Sequence, residues 1–370
     1  MGSSVLHRSP VTRRSVDREA GWAQPLLLLM RLLILGIGLG LITGTALRLL
    51  APRLSPGSTP LLGLRLAPPT LRPSQGLGRF EPRLEDRDLS ARLARIAATQ
   101  KDLTVGAFVL VLDDGRYAEL QPDRPLPAAS SIKTPILLAA LEAVDQGRAR
   151  PDEKLPLTKT VIGGGSGWMG AQPVGSRFGF DEVATEMIRV SDNTATNLLI
   201  ERLGGKESLN RRFQQFGLTG TVIRNWLPDL EGTNTTTARD QARTIALVET
   251  GRELSPRGRD RFRSILGTSG TDTLIPSGWL RGAGGAAAAA GNDVNDGLLS
   301  RGLRVLNKTG DIGTAYVDSA LIELPDGRRA VASFMVKGPF NDPRSAELIR
   351  AMAAAASRTL VDTTSLPPQP

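Results

Sequence analysis

The chain contains no cysteine and one histidine, His7, near its beginning. Those absences exclude a disulfide framework, a cysteine nucleophile, a Ser-His-Asp triad and the usual His/Cys zinc sites. Aromatic residues make up only 4% of the sequence, too few to interleave with basic side chains and stack bases. Lysine is scarce as well, with seven among the 46 basic residues. A hydrolase written in this alphabet must take its base from Lys, Asp or Glu and its nucleophile from Ser or Thr. No metal or organic cofactor is implied.

The net charge of +9 is unevenly placed. Residues 1–85 hold 11 Arg and 4 acidic residues, which gives +7 and leaves about +2 for the other 285. No basic stripe remains to follow a phosphate backbone, so nucleic acid is not an expected partner.

Residues 1–25 form a basic tail (Arg8, Arg13, Arg14, Arg18), expected to be cytoplasmic. Leu26–Leu47 then reads LLLLMRLLILGIGLGLITGTAL, 22 residues with one charge, Arg31. Such a run spans a bilayer core of roughly 30 Å, and an arginine near its end can snorkel to the headgroups. The expectation is a transmembrane anchor that leaves the following domain periplasmic; a signal segment cleaved near Gly44-Thr45-Ala46 is the alternative. Residues 52–85 carry seven prolines and read as a linker, able to reach about 100 Å at roughly 3.1 Å per residue.

The globular part is expected over residues 86–360, with a disordered tail at 361–370. Leu89, Leu93 and Ile96 give a helical stripe, and Thr104–Leu112 reads as a buried strand turned by Asp113-Asp114-Gly115. A helix follows from about Ser131 to Gln146. Residues 181–267 are helical in pattern, with a break at Gly204-Gly205. Leu303–Asn307, Ala315–Leu324 and Arg329–Val336 read as strands, and Pro343–Ser357 as a last helix. Residues 282–296 are low in complexity and expected to be a disordered insertion. The simplest arrangement is an α/β domain: an antiparallel sheet holds the terminal helices, and an all-helical lobe is inserted between its strands.

Three motifs carry chemistry. In Ser130-Ser131-Ile132-Lys133, at the entry to a helix, position i+3 turns back toward position i. Lys133 can therefore reach the Ser130 hydroxyl, and the helix N-terminus favours an oxyanion and a depressed lysine pKa. Read alone, the motif is equally a serine cap followed by a surface lysine. Ser191-Asp192-Asn193 lies between two helical stripes, where such residues also serve as caps. Lys308-Thr309-Gly310 ends a strand. Two of the seven lysines fall in these motifs, and the three together, in this order, are not explained by caps and turns.

With this motif set the chain resembles the class A β-lactamase and penicillin-binding serine acyltransferase superfamily. The resemblance covers about residues 86–360, including SDNTATNLLIERLGG and the threonine run Thr235-Thr236-Thr237. It implies a β-lactamase/transpeptidase-like fold, a monomer, and a β-lactam or peptidoglycan-peptide substrate. It also implies roles: Ser130 as the acylated nucleophile, Lys133 as its base or proton relay, and Ser191 as proton donor to the departing nitrogen. Asn193 would position Lys133 and the substrate amide, while Lys308 and Thr309 hold the substrate carboxylate. Gly310 would leave room for a substrate along the strand edge, and the N–H groups of Ser130 and Asp311 would form the oxyanion hole.

Two departures bear on turnover. Where the family places a tryptophan followed by Glu-Pro, this chain has Trp226-Leu227-Pro228, so Leu227 takes the place of the water-activating glutamate. Asn234 stands where an aspartate pairs with the arginine matched by Arg224. Glu231, or less readily Asp229, is the substitute base, unless both are solvated loop positions. Asp311 also sets a negative side chain beside an anion-binding edge. Three readings follow: a serine β-lactamase with slow deacylation, a D-Ala-D-Ala peptidase, and a sensor that acylates once.

Overall fold

The computed structural model describes residues 80–285 and 292–361. The basic tail, the Leu26–Leu47 run, nearly all of the linker and residues 362–370 lie outside the described residues. Among those described, no helix is long and apolar enough to cross a membrane.

The domain opens with β1 (Leu84–Glu85) and α1 (Arg87–Ala98). Asp86 caps α1 by accepting a hydrogen bond from Leu89 N at 2.9 Å, and the stripe buries Leu89 and Leu93. β2 (Thr104–Val111) and β3 (Arg116–Leu120) form a hairpin whose turn needs Gly115 at φ 76°. After β4 (Leu126–Pro127) and a 3₁₀ turn at Ala129–Ile132, the chain enters α2 (Lys133–Asp145).

The lobe follows: β5 (Lys154–Pro156), β6 (Arg177–Gly179), α3 (Phe180–Arg189), α4 (Asn193–Arg202) and α5 (Gly205–Gln215). Gly204 and Gly205 both take positive φ, which produces the break between α4 and α5. The stretch from 216 to 237 is not helical. It holds β7 (Thr235–Thr236), which pairs with β4, and Thr237 then caps α6 (Ala238–Glu249). The threonine run thus ties this loop to the segment that leads into Ser130.

α7 (Pro256–Leu266), α8 (Ile275–Gly282) and α9 (Asn292–Leu299) lead to β8 (Arg304–Asp311), β9 (Ala315–Glu323), β10 (Arg329–Lys337) and α10 (Pro343–Val361). The expectation of disorder over 282–296 is corrected at its end. There α9 forms and buries Val294 and Leu298, an apolar i, i+4 pair.

The sheet runs β1-β3-β2-β10-β9-β8, antiparallel except for β1 against β3. Period-two alternation separates two cores. Val331 and Met335 on β10 face the lobe, while Ala330, Ala332, Phe334 and Val336 face α1, α8 and α10. β8 is an edge strand that follows the same rule, with Leu306 toward the lobe and Val305 toward the terminal helices. Lys308 and Gly310 therefore project to the lobe side, and Asn307, Thr309 and Asp311 to the other.

Candidate active site

Ser130 stands in the turn as expected, but that turn is 3₁₀ and runs through Ile132, so the helix expected from about Ser131 begins at Lys133. Side chains three apart eclipse one another in a 3₁₀ turn, which aims the lysine at the serine. Lys133 Nζ lies 3.0 Å from Ser130 Oγ, 2.9 Å from Ser191 Oγ, 2.6 Å from Ser191 O and 2.9 Å from Asn193 Oδ1.

Two of those four neighbours, the Ser191 carbonyl and the Asn193 amide oxygen, can only accept. The Asn193 amide is fixed in that sense because its Nδ2 donates to Gly164 O at 2.8 Å. A neutral amine would spend its two N–H bonds there and turn its lone pair toward the two hydroxyls. Burial, and then the positive charge of Lys308, hold the Lys133 amine well below the ordinary lysine range, against an opposing pull from Asp192. The same group is therefore placed and poised to accept the Ser130 proton.

Backbone strain collects at this point. Ala129 at φ 46° and Ser191 at φ 58° are two of only four described non-glycine residues in the left-handed region, and each flanks or forms the cluster around Lys133. Such conformations cost about 1–3 kcal/mol each and persist where surrounding structure fixes them.

The fixing comes partly from a segment that the motif reading passed over, Gly163-Gly164-Gly165-Ser166-Gly167-Trp168-Met169. Asp192, capping α4 through Ala195 N at 2.8 Å, also accepts from Trp168 N at 2.8 Å and Met169 N at 2.9 Å. Asn193 N donates to Ser166 O at 3.1 Å. At Gly167 (φ 100°) a Cβ would stand 2.1 Å from the Asp192 carboxyl. Four glycines in five positions were the available signal; they allow backbone to lie directly on the Ser191 turn.

Lys308 is 2% exposed and donates to Thr309 O at 2.8 Å; burial brings it down to about 8, opposed by the charge of Asp318. Gly310 has a different reason from the one expected. A Cβ there would meet Ser131 N at 2.6 Å, Ser130 N at 2.8 Å and Ala128 O at 2.9 Å, so the glycine makes room for the turn that carries Ser130. Asp311 is exposed, and its Oδ1 accepts from Gly313 N at 2.6 Å, which turns the carboxylate into the β8–β9 turn.

The loop after Trp226 keeps its scaffold. Asn197 accepts from Leu227 N at 2.9 Å and donates to Leu227 O at 2.8 Å, pinning both ends of that residue. Leu227 is buried, and the Leu227–Pro228 peptide is cis. Asn234 Oδ1 accepts from Arg224 N at 2.7 Å and Asn225 N at 2.8 Å, while the Arg224 guanidinium donates to Thr233 O at 2.7 Å. Neutral amide contacts thus stand where an ion pair was missing.

Of the two proposed substitute bases, Asp229 is not solvated. It is buried and accepts from Asn234 N at 2.6 Å and Thr233 Oγ1 at 2.8 Å, so its oxygens are occupied in holding the loop. Glu231 is exposed, and among the described residues it forms no hydrogen bond or ion pair that would orient it toward Ser130.

Residues 88–360 match the profile of a family described as the beta-lactamase enzyme family. A Beta-lactamase of Streptomyces lavendulae is 28% identical over 253 residues, covering 64% of this chain and 76% of that one. The solved structure of PBP-A is 39% identical with a TM-score of 0.68, covering 75% of this chain and 97% of that one. A leucine-to-glutamate mutant of PBP-A, solved as an acyl-enzyme complex with penicillin G, matches at the same identity and TM-score, with 98% of that chain covered.

Proposed function

The chain belongs to the beta-lactamase enzyme family, and on that premise we propose that it is a serine hydrolase that opens β-lactam amides through an acyl-Ser130 intermediate and releases it slowly. The observation that carries this reading is Lys133: one buried amine within 3.0 Å of Ser130 Oγ and 2.9 Å of Ser191 Oγ, with its remaining neighbours pure acceptors. It takes the Ser130 proton as Oγ attacks the amide carbonyl. Ser191 returns a proton to the departing nitrogen, and Asn193 holds Lys133 and the substrate amide. Lys308 holds the substrate carboxylate; Thr309, expected to share that role, leaves the other face of β8 and donates to Asp318 at 3.3 Å, and Ser130 N with Asp311 N receives the oxyanion. Slow release follows from Leu227, which can neither take a proton from water nor orient it. Glu231 is the residue on that loop left to act as a base, and only if the loop carries it toward Ser130.

A second reading, a D-Ala-D-Ala peptidase using the same nucleophile, is favoured by the 39% identity to PBP-A together with Leu227. For localisation, the Leu26–Leu47 run supports a membrane anchor with a monomeric hydrolase domain outside the cytoplasm. Protease added to intact spheroplasts is expected to release a fragment beginning within residues 52–85.

Time-resolved mass spectrometry of the full chain with benzylpenicillin, and separately with a peptide ending in D-Ala-D-Ala, decides among these. An adduct on Ser130 that forms fast and decays over many minutes is the expected result. Peptide cleavage outpacing penicillin turnover would select the peptidase, and an adduct that never decays would select a sensor. No adduct on Ser130 would overturn the assignment.

A further inference from the structure

Behind the carboxylate-binding strand lies a buried acid that the proposed chemistry does not use. Asp318 on β9 is 0% exposed. Its neighbours Val317 and Leu321 face the lobe while Ala320 and Ile322 face the terminal helices, so alternation puts Asp318 on the terminal-helix side. There it accepts hydrogen bonds from Ile275 N, at the start of α8, at 2.8 Å, from Asn307 Nδ2 at 3.0 Å and from Thr309 Oγ1 at 3.3 Å. Every one of these partners is a donor, a cradle suited to the ionised carboxylate.

Asn307 and Thr309 are the two residues that flank Lys308. That lysine leaves the opposite face of the same strand, buried, and among the described residues it makes no direct ion pair. A buried cation is held in its charged form only if some counter-charge lies near.

We propose that Asp318 is a positioning residue: from one strand away it supplies the buried counter-charge that keeps Lys308 cationic, and it ties down Asn307 and Thr309 on either side of that lysine, so that Lys308 can capture a substrate carboxylate. The proposal rests on the carboxylate-binding role given to Lys308 above. Burial pushes Asp318 up to about 6 and Lys308 down to about 8, with each charge favouring the other, so both are ionised between those values. The other charged groups around Lys308 come from different elements. Lys133 faces it from α2 and is itself drawn by Asp192 on the Ser191 turn, and Asp272 lines the small cavity beside Asn307 ahead of α8. Asp311, at the strand end, is turned to Gly313 N. The lysine captures a carboxylate below its own pKa and loses that ability as pH rises through it. Removing the Asp318 charge lowers the Lys308 pKa further and moves that loss to lower pH.

The test compares second-order acylation rates of the full chain by benzylpenicillin and by its methyl ester, from pH 5.5 to 9.5. In wild type the acid's advantage over the ester is expected to fall away above about pH 8. In Asp318→Asn the same fall is expected about one unit lower, roughly a tenfold loss of the advantage near pH 8, with ester rates retained. Lys308→Ala should erase the advantage at every pH. An Asp318→Asn limb that does not move, or acid and ester rates that drop together at all pH values, would overturn the proposal and leave the acyl-Ser130 chemistry standing.

Should that variant not fold, or Ser130 not acylate, wild-type NMR of [13Cε]-lysine decides independently, since the chain has only seven lysines. The Lys308 resonance is expected to titrate near pH 8 with a smaller step near pH 6 from Asp318. A single step would overturn the proposal.

Discussion

Around Lys133 each polar atom has its partner inside the site, and each partner bears on the reaction: Ser130, Ser191 and Asn193 all converge on one nitrogen. Around Leu227 the polar contacts are as numerous and as short, yet they hold only the loop itself. Asn197 grips the Leu227 backbone, Asp229 grips Asn234, and Asn234 grips the backbone of Arg224 and Asn225. The second region has a complete frame and presents an apolar side chain in it. Preorganisation and chemistry are therefore separable, and a frame held by main-chain bonds tolerates a change of the side chain it presents.

The sharpest way to break the contrast is at Ser130. Ser130→Ala is expected to abolish covalent labelling by penicillin, seen by intact-mass spectrometry, with the melting temperature nearly unchanged because the side chain sits at the cleft and not in a core. Labelling at another residue would show that the converging nitrogen serves something else.

On the loop side, Leu227→Glu is expected to speed deacylation by about 10²–10⁴-fold, the usual worth of a general base. That gain depends on Asn197, so the double variant Leu227→Glu/Asn197→Ala should lose most of it. A full gain without Asn197 would mean that the frame is not what places the residue. Smaller effects are expected at Lys308, where Lys308→Ala removes a charge-assisted contact worth about 1.5–3 kcal/mol, or roughly 10- to 100-fold in acylation by carboxylate-bearing β-lactams. The least is expected at Glu231. Glu231→Gln should leave both acylation and deacylation within about twofold, because an exposed, unoriented carboxylate contributes little as a base. Slower adduct decay in that variant would show that the loop brings Glu231 to the serine during turnover.

What the sequence made legible follows physical scale. Strands with period-two alternation, the paired glycines ending α4 and the three motifs all leave local signals, and the structure places them where such signals point. The glycine loop at 163–169 leaves only its glycines and Asn197 leaves nothing local, because their value lies in long-range contacts with Asp192 and Leu227. Asp318 did leave a trace: an acid in the middle of AYVDSALI, a run otherwise apolar enough to be buried on both faces. Glu231 is close to Leu227 along the chain, and proximity in sequence says nothing about which way a surface side chain points.

Gly310 has a consequence of its own. Because strand β8 meets the Ser130 turn backbone against backbone, with no room for a single methyl group, the spacing between Ser130 and the lysine two residues before the glycine is fixed by main-chain atoms. Side chains can swing to suit a ligand; covalent backbone in van der Waals contact cannot. The cleft thus behaves as a fixed gauge, admitting to reaction those molecules whose carbonyl and carboxylate already stand at the right separation and leaving longer or shorter ones held at one end only.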